Sequence, residues 1–234
     1  MIKSILMSWF LPWRAYLAEF LATFVFVLIA SGATLTNIFF SDIGGIGVAL
    51  ATGLALTSMI YAVFHLSGGH LNPAVTLAVW LAQKISSRVA VFYIIAQILA
   101  SLAAAGLLLW IFGPTAREFS LGGPVIGVGV STETAVIVEA ILTATLIFAV
   151  FATMIDKRGS VNFGPLVVGL VLTVSAIFAG SISGAALNPA RAFGPLVISK
   201  SYSDLAVWII GPATGSIFGI IYDFLFLRKS ARAR

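Results

Sequence analysis

The sequence predicts an all-α membrane protein with six transmembrane helices plus two re-entrant half-helices in an inverted 3+3 repeat. Three observations carry that prediction. Hydrophobic residues make up 60% of the chain and charged residues 9%, and the mean hydropathy of +1.11 lies well outside the range of water-soluble domains. Apolar stretches follow one another at roughly 14–34, 46–65, 88–112, 133–154, 164–182 and 205–227, each long enough to cross about 30 Å of hydrocarbon as a helix. Finally, short motifs of the first half return in the second at a constant spacing.

The first stretch reads as a retained helix. Met1 to Trp13 carries little basic charge, and Ala15–Ala33 exceeds the apolar core of a signal peptide. The other five spans follow, with no low-complexity tract and no separate soluble domain. The longest connection, the Gly/Pro-rich stretch 113–132, is expected to be a structureless bridge between halves. Residues 1–234 thus form one channel domain, with repeat one at about 10–112, the linker at 113–132 and repeat two at about 133–228. The compact form without long tails suits a bacterial or archaeal protein. With no cysteine, disulfides, thiolate metal sites and thiol nucleophiles are excluded.

Orientation follows from the basic residues. With the N-terminus inside and six alternating spans, Lys3, Arg14, Lys84, Arg88, Lys157, Arg158, Arg228, Lys229, Arg232 and Arg234 fall inside, ten of the 13 lysines and arginines. Arg117, Arg191 and Lys200 fall outside. Both termini are therefore expected in the cytoplasm, in a multi-pass protein of the plasma (inner) membrane. The net charge of +5 is explained by this asymmetry and calls for no nucleic acid.

The repeat is specific. Gly53-Leu54, Leu56-Thr57, Ser67-Gly68 and Leu71-Asn72-Pro73-Ala74 match Gly169-Leu170, Leu172-Thr173, Ser183-Gly184 and Leu187-Asn188-Pro189-Ala190, all 116 residues later. Tyr93-Ile94-Ile95 echoes Trp208-Ile209-Ile210 at 115, and Glu19 with Thr23 echoes Glu139 with Thr143 at 120. Three spans per half force the halves into opposite orientations about an axis in the membrane plane. Each Asn-Pro-Ala has the chemistry of a helix start, an Asn cap followed by Pro at the first helical position. From Asn72 to Gln83 is twelve residues, about 18 Å and roughly half the hydrocarbon thickness, which makes the element a half-helix. Irregular backbone at membrane depth survives only when buried in protein or beside water, so Ser67–Leu71 and Ser183–Leu187 should border a lumen.

One Asn-Pro-Ala is an ordinary cap or turn signal; two at the repeat spacing are not. With Ser-Gly-Gly-His-Leu-Asn-Pro-Ala-Val at 67–75 and Asn-Pro-Ala-Arg at 188–191, the whole chain resembles the aquaporin, or major intrinsic protein, family. The resemblance implies a passive channel for water and small uncharged solutes, without cofactor or metal, assembled as a homotetramer in the lipid bilayer. It makes Asn72, Pro73, Ala74, Asn188, Pro189 and Ala190 the pore motifs. The carbonyls of Gly68, Gly69 and His70, and of Gly184, Ala185 and Ala186, become pore acceptors. Two half-helix N-termini facing each other add their partial positive charges, which opposes cations and protons. Each Asn oxygen can cap its helix and leave amide N–H groups for a passing oxygen.

Arg191 sits in the first turn of the second half-helix where the first copy has Val75. A charge within a membrane is costly unless it faces water or a partner, and its family role is the outer constriction. Spacing from the motifs, read through the resemblance, adds Thr52, Ala176 and Ala185 to that constriction. None is large. Water-selective members carry an aromatic at Thr52 and a histidine at Ala176, and glycerol facilitators carry an Asp at Ala192. The Thr/Ala/Ala/Arg ring is similar instead to the wide filters of the nodulin-like and bacterial metalloid-permeable branch, and implies glycerol, urea or neutral metalloid hydroxides such as arsenite beside water. A strictly water-selective pore is the alternative.

Glu19 and Glu139 are intramembrane carboxylates, open to a proton-relay reading. Their symmetric placement, together with the pattern of the family that the chain resembles, favours a support role, accepting backbone N–H groups of the re-entrant loops. His65 and His70 read as structural rather than as a pH gate or metal pair. Trp9, Trp13, Trp80, Trp110 and Trp208 are expected mostly at span ends, as an aromatic belt. An ion-coupled transporter with inverted repeats would need further mid-span acids, and an enzyme would need a nucleophile or metal motif that the chain lacks.

Overall fold

The structure, a computed structural model, describes residues 12–159 and 161–227. The expectations for Lys3, Trp9, Arg228, Lys229, Arg232, Arg234 and the outer ends of the two repeats lie outside the described residues. Among the described residues there is no β-strand.

The long helices are α1 (Trp13–Phe40), α2 (Gly44–Ser67), α4 (Ser87–Phe112) and α5 (Thr132–Val150), which runs on through a π-turn at Phe151–Ile155. The fifth span, α6 (Gly164–Ala179), has only 16 residues, because the chain turns at Gly180 into the re-entrant segment. The sixth span is jointed: α8 (Val207–Ser216), α9 (Phe218–Tyr222) and a second π-turn at Asp223–Leu227. Pro212 lies within α8, where it removes one backbone donor. The half-helices are α3 (Pro73–Leu81) and α7 (Pro189–Ser199). Helix α3 is nine residues long rather than twelve, since Gln83 takes a left-handed conformation and ends the turn.

The spans form a ring. Helix α1 packs on α2, α2 on α6, α6 on α5, α5 on α8 and α1 on α4. Between α4 and α8 the ring is closed by the half-helices, with α7 against α4, α3 against both, and α7 against α8. The core between these elements is built from small and branched residues such as Ala22, Ala30, Ala78, Leu56, Ile60 and Leu172, all nearly or fully buried. Small side chains let helices approach closely where lipid supplies no hydrophobic drive.

The stretch 113–132 is not structureless. A 3-10 turn spans Pro114–Gly122, and its Ala116 and Leu121 are buried with Leu35, Ala105 and Leu108. Apolar side chains within a Gly/Pro-rich run provide that anchor. Ser120, Leu121 and Gly122 all have positive φ, and a Cβ on Gly122 would meet the Ser31 carbonyl at 2.2 Å, so only glycine fits there. Further on, the Gly127 N–H donates to the Ile182 carbonyl at 2.9 Å, laying the connection over the second re-entrant segment.

At one end of the ring, Lys84 pairs with Asp223 at 2.6 Å and Arg158 donates to the Phe226 carbonyl at 3.1 Å. Residues expected on one side thus meet the end of the sixth span.

Candidate functional site

Both Asn-Pro-Ala motifs open their half-helices. Asn72 and Asn188 are extended, and their side-chain oxygens accept from Ala74 N–H at 2.8 Å and Ala190 N–H at 2.9 Å. The amide ends do something the sequence did not reveal. Asn72 Nδ2 donates to the Leu187 carbonyl and Asn188 Nδ2 to the Leu71 carbonyl, each at 2.9 Å. Each amide thereby ties one motif to the other and keeps one further N–H for a passing molecule.

The loops ahead of the caps are strained. Gly68, Gly69 and Leu71 have positive φ, as do Gly184, Ala185 and Leu187. Left-handed backbone at a non-glycine residue costs about 1–3 kcal/mol, so something must hold it. Buried carboxylates do. Glu19 accepts from Ser67 Oγ (2.6 Å), His70 N–H (2.9 Å), Leu71 N–H (2.7 Å) and Gln97 Nε2 (2.8 Å). Glu139 accepts from Ser183 Oγ (2.7 Å), Ala186 N–H (2.9 Å) and Leu187 N–H (2.7 Å).

The two copies then diverge. Around Glu19, Gln97 also donates to Thr76 Oγ1 (3.1 Å), and His70 Nδ1 bonds the same hydroxyl (3.0 Å). At the corresponding positions the second copy has Pro212, Ala192 and Ala186, and it carries Arg191 where the first has Val75. Glu139, with one fewer hydrogen-bond donor, feels the Arg191 guanidinium instead. His70 stacks edge-on to Tyr93 and is nearly buried, whereas His65 is exposed. Among the described residues no group of metal-ligating side chains occurs.

A cavity of about 440 Å³ opens on one side of the motifs, lined by Thr34, Asn37, Thr52, Ala176, Gly184 and Arg191 among others. Arg191 is only 5% exposed; Nη1 donates to the Gly184 carbonyl at 3.3 Å, and Nε finds no protein acceptor. Thr52 turns its hydroxyl back onto the Val48 carbonyl at 2.8 Å. Ala185 is fully buried and lines neither this cavity nor the one on the opposite side of the motifs. Gly123, Pro124 and Val125 supply a wall that sequence reasoning missed, because the linker gave no hint of folding back. On the other side, about 150 Å³ is bordered by Gly68, Gly69, His70, Val75, Val79 and Met154. One flank of unwound backbone faces an apolar wall there.

Comparison with known proteins decides the family. The model of the major intrinsic protein family matches residues 6–222. The chain belongs to the major intrinsic protein family. It is 39% identical over 226 residues to a probable aquaporin TIP4-1 of Oryza sativa subsp. japonica, covering 92% of this chain and 88% of that protein. It is 36% identical to aquaporin-4 of Mus musculus (92% and 68% covered) and 38% identical to the lens fiber major intrinsic protein of Ovis aries (93% and 82%). The fold is that of the aquaglyceroporin from Plasmodium falciparum, with TM-score 0.82 at 23% identity, covering 95% of this chain and all of the other. As a major intrinsic protein, the chain is a multi-pass membrane channel passing water and small solutes.

Other pieces of this major intrinsic protein's pore are placed by residues the motif search passed over. Ser101 Oγ on α4 donates to the Ala190 carbonyl and accepts from Gly194 N–H at 2.8 Å. Ser216 Oγ on the sixth span donates to the Ala74 carbonyl at 2.8 Å. These serines are 115 residues apart, so the repeat spacing itself was the signal that could have found them. Trp208 is a correction to the expected aromatic belt. It is buried, and its Nε1 donates to the Ser183 carbonyl at 2.8 Å, while Tyr93 Oη does the same for Ser67 at 2.9 Å. Trp13, Trp80 and Trp110 are exposed.

Proposed function

We propose that this channel has a wide outer filter, formed by Thr52, Ala176 and Arg191, and passes glycerol, urea and neutral metalloid hydroxides as well as water. The observation that carries the reading is the outer cavity, in which a buried guanidinium stands with no aromatic or histidine among the lining residues. A solute oxygen entering there meets Arg191 as donor and finds nothing bulky opposite it. Two capped half-helix N-termini then face each other beyond the filter, and their positive ends oppose protons and cations. Transport is passive, with no catalytic step. Cytoplasmic termini, the plasma membrane and a homotetramer complete the proposal; exposed apolar ridges such as Leu17, Leu21, Leu54 and Val174 supply surface for protomer and lipid contacts.

The test is stopped-flow light scattering on vesicles holding the purified channel. Fast shrinkage in an impermeant osmolyte, followed by re-swelling in glycerol and urea, is expected. Fast shrinkage with no re-swelling in any such solute would mean a strictly water-selective pore.

A further inference from the structure

A third cavity belongs to neither end of the pore. It lies on the flank where the ring of spans is closed by the half-helices alone, and it measures about 270 Å³. Its lining repeats across the pseudo-two-fold axis: Pro73 with Pro189, Leu77 with Phe193, Ile94 with Ile209, and Ile98 with Ala213. The prolines and Ala74 form a floor behind the pore motifs, and the isoleucines of α4 and the sixth span form the walls. Every lining side chain is apolar.

We propose that this cleft seats the terminal part of a lipid acyl chain. Depth argues first. The Asn72–Leu187 and Asn188–Leu71 hydrogen bonds join half-helices entering from opposite faces, so Pro73 and Pro189 stand at the middle of the bilayer. At that depth the surrounding solvent is chain ends, and no headgroup reaches it. Continuity argues second, because the walls merge with the exposed ridges Ile95, Leu99 and Ile210 that an apolar span turns to lipid. Size argues third. A helix of a second copy is about 10–12 Å across with its side chains, too broad for a cleft of this volume, whereas a single hydrocarbon chain enters lengthwise. Asymmetry shapes the seat, since Phe193 and Ile98 are large where Leu77 and Ala213 are smaller, leaving room beside the sixth span. A chain seated there packs against the backs of both pore prolines.

The experiment reconstitutes the full chain in vesicles of phosphatidylcholine carrying a diazirine at the end of one acyl chain or, in parallel, beside its ester. After irradiation, labelled peptides are mapped by mass spectrometry. The expected result is terminal-probe label concentrated on 73–77, 94–98, 189–193 and 209–213, little from the ester-side probe, and loss of that label in Ala213→Phe. Ile98→Trp fills the cleft from the other wall and is read if the first variant does not fold. Water flux in the same vesicles reports that each variant is intact. Label spread evenly over ridges such as Leu50 and Val174, label that persists in filled and intact variants, or cross-links from the cleft to a second copy would each overturn the proposal.

Discussion

Gly53 on α2 and Gly169 on α6 meet backbone against backbone. A Cβ on Gly53 would lie 1.8 Å from Thr173 Oγ1 and 2.5 Å from the Gly169 carbonyl, and a Cβ on Gly169 would lie 1.8 Å from Thr57 Oγ1 and 2.5 Å from the Gly53 carbonyl. The same clash from either side marks where the pseudo-two-fold axis crosses the helix pair. Even Gly53→Ala should therefore force the second and fifth spans apart, at a cost of about 1–3 kcal/mol for overpacking. Thermal unfolding in detergent, followed by size-exclusion chromatography, should show an earlier loss of the folded peak. An unchanged profile would mean that the crossing is looser than the contacts imply.

Glu139→Gln should be more damaging than its isosteric shape suggests. An amide NH₂ would face either the Leu187 N–H or the Ala186 N–H, and each buried group left unpaired costs about 1–3 kcal/mol. Folded yield should fall, while any residual water flux keeps the parent's pH dependence. A well-folded variant with a shifted pH profile would instead assign the carboxylate to proton handling.

The serine clamps predict an order. Ser101→Ala loses a donor to Ala190 and strands the Gly194 N–H, about 1–3 kcal/mol for the buried group, whereas Ser216→Ala removes only a donor and costs about 0.5–1.5 kcal/mol. Melting temperatures should rank parent, Ser216→Ala, Ser101→Ala, with glycerol-to-water flux ratios unchanged in both.

Asp156 sets a pH expectation. Hydrogen bonds from the Arg158 side chain hold its carboxyl at about 2, well below the ordinary range. A depressed native value means that the stabilisation is present above the unfolded value near 4 and fades as pH falls toward 2. Asp156→Asn should thus lower the melting temperature at neutral pH and approach the parent only at about pH 2. An equal difference at both values would show that charge is not the link.

Arg191→Val copies the first repeat into the second. Urea and glycerol flux should rise relative to water and exclusion of small cations should weaken, both measurable by stopped flow and by a pH-sensitive dye inside the vesicles. Unaltered selectivity would remove Arg191 from the filter.

The spans, the repeat and the capped half-helices were legible because each rests on local chemistry: apolar length, an Asn before a Pro, and a motif stated twice. Glu19 and Glu139 were legible as paired acceptors for the same reason of symmetry. What the sequence hid depends on distance across the fold. That Asn72 reaches Leu187 follows from where the two loops meet, not from either loop alone. Trp208 looks like any interfacial tryptophan until its neighbours are in place. The outer wall at Gly123–Val125 was hidden because Gly/Pro-rich composition reads as loop, while Leu121 anchors the whole connection in the core.

The Ser216 clamp on Ala74 has a consequence for biosynthesis. Its two ends are 142 residues apart, and at ribosomal speed the acceptor on the first half-helix waits on the order of ten seconds for its partner to be made. Through that interval the first three spans sit in the membrane with half a pore and an incomplete ring. The sixth span, the last of the described helices to emerge, is therefore the one that locks the first re-entrant turn, so a chain truncated before it should enter the membrane yet remain an open-sided substrate for quality control.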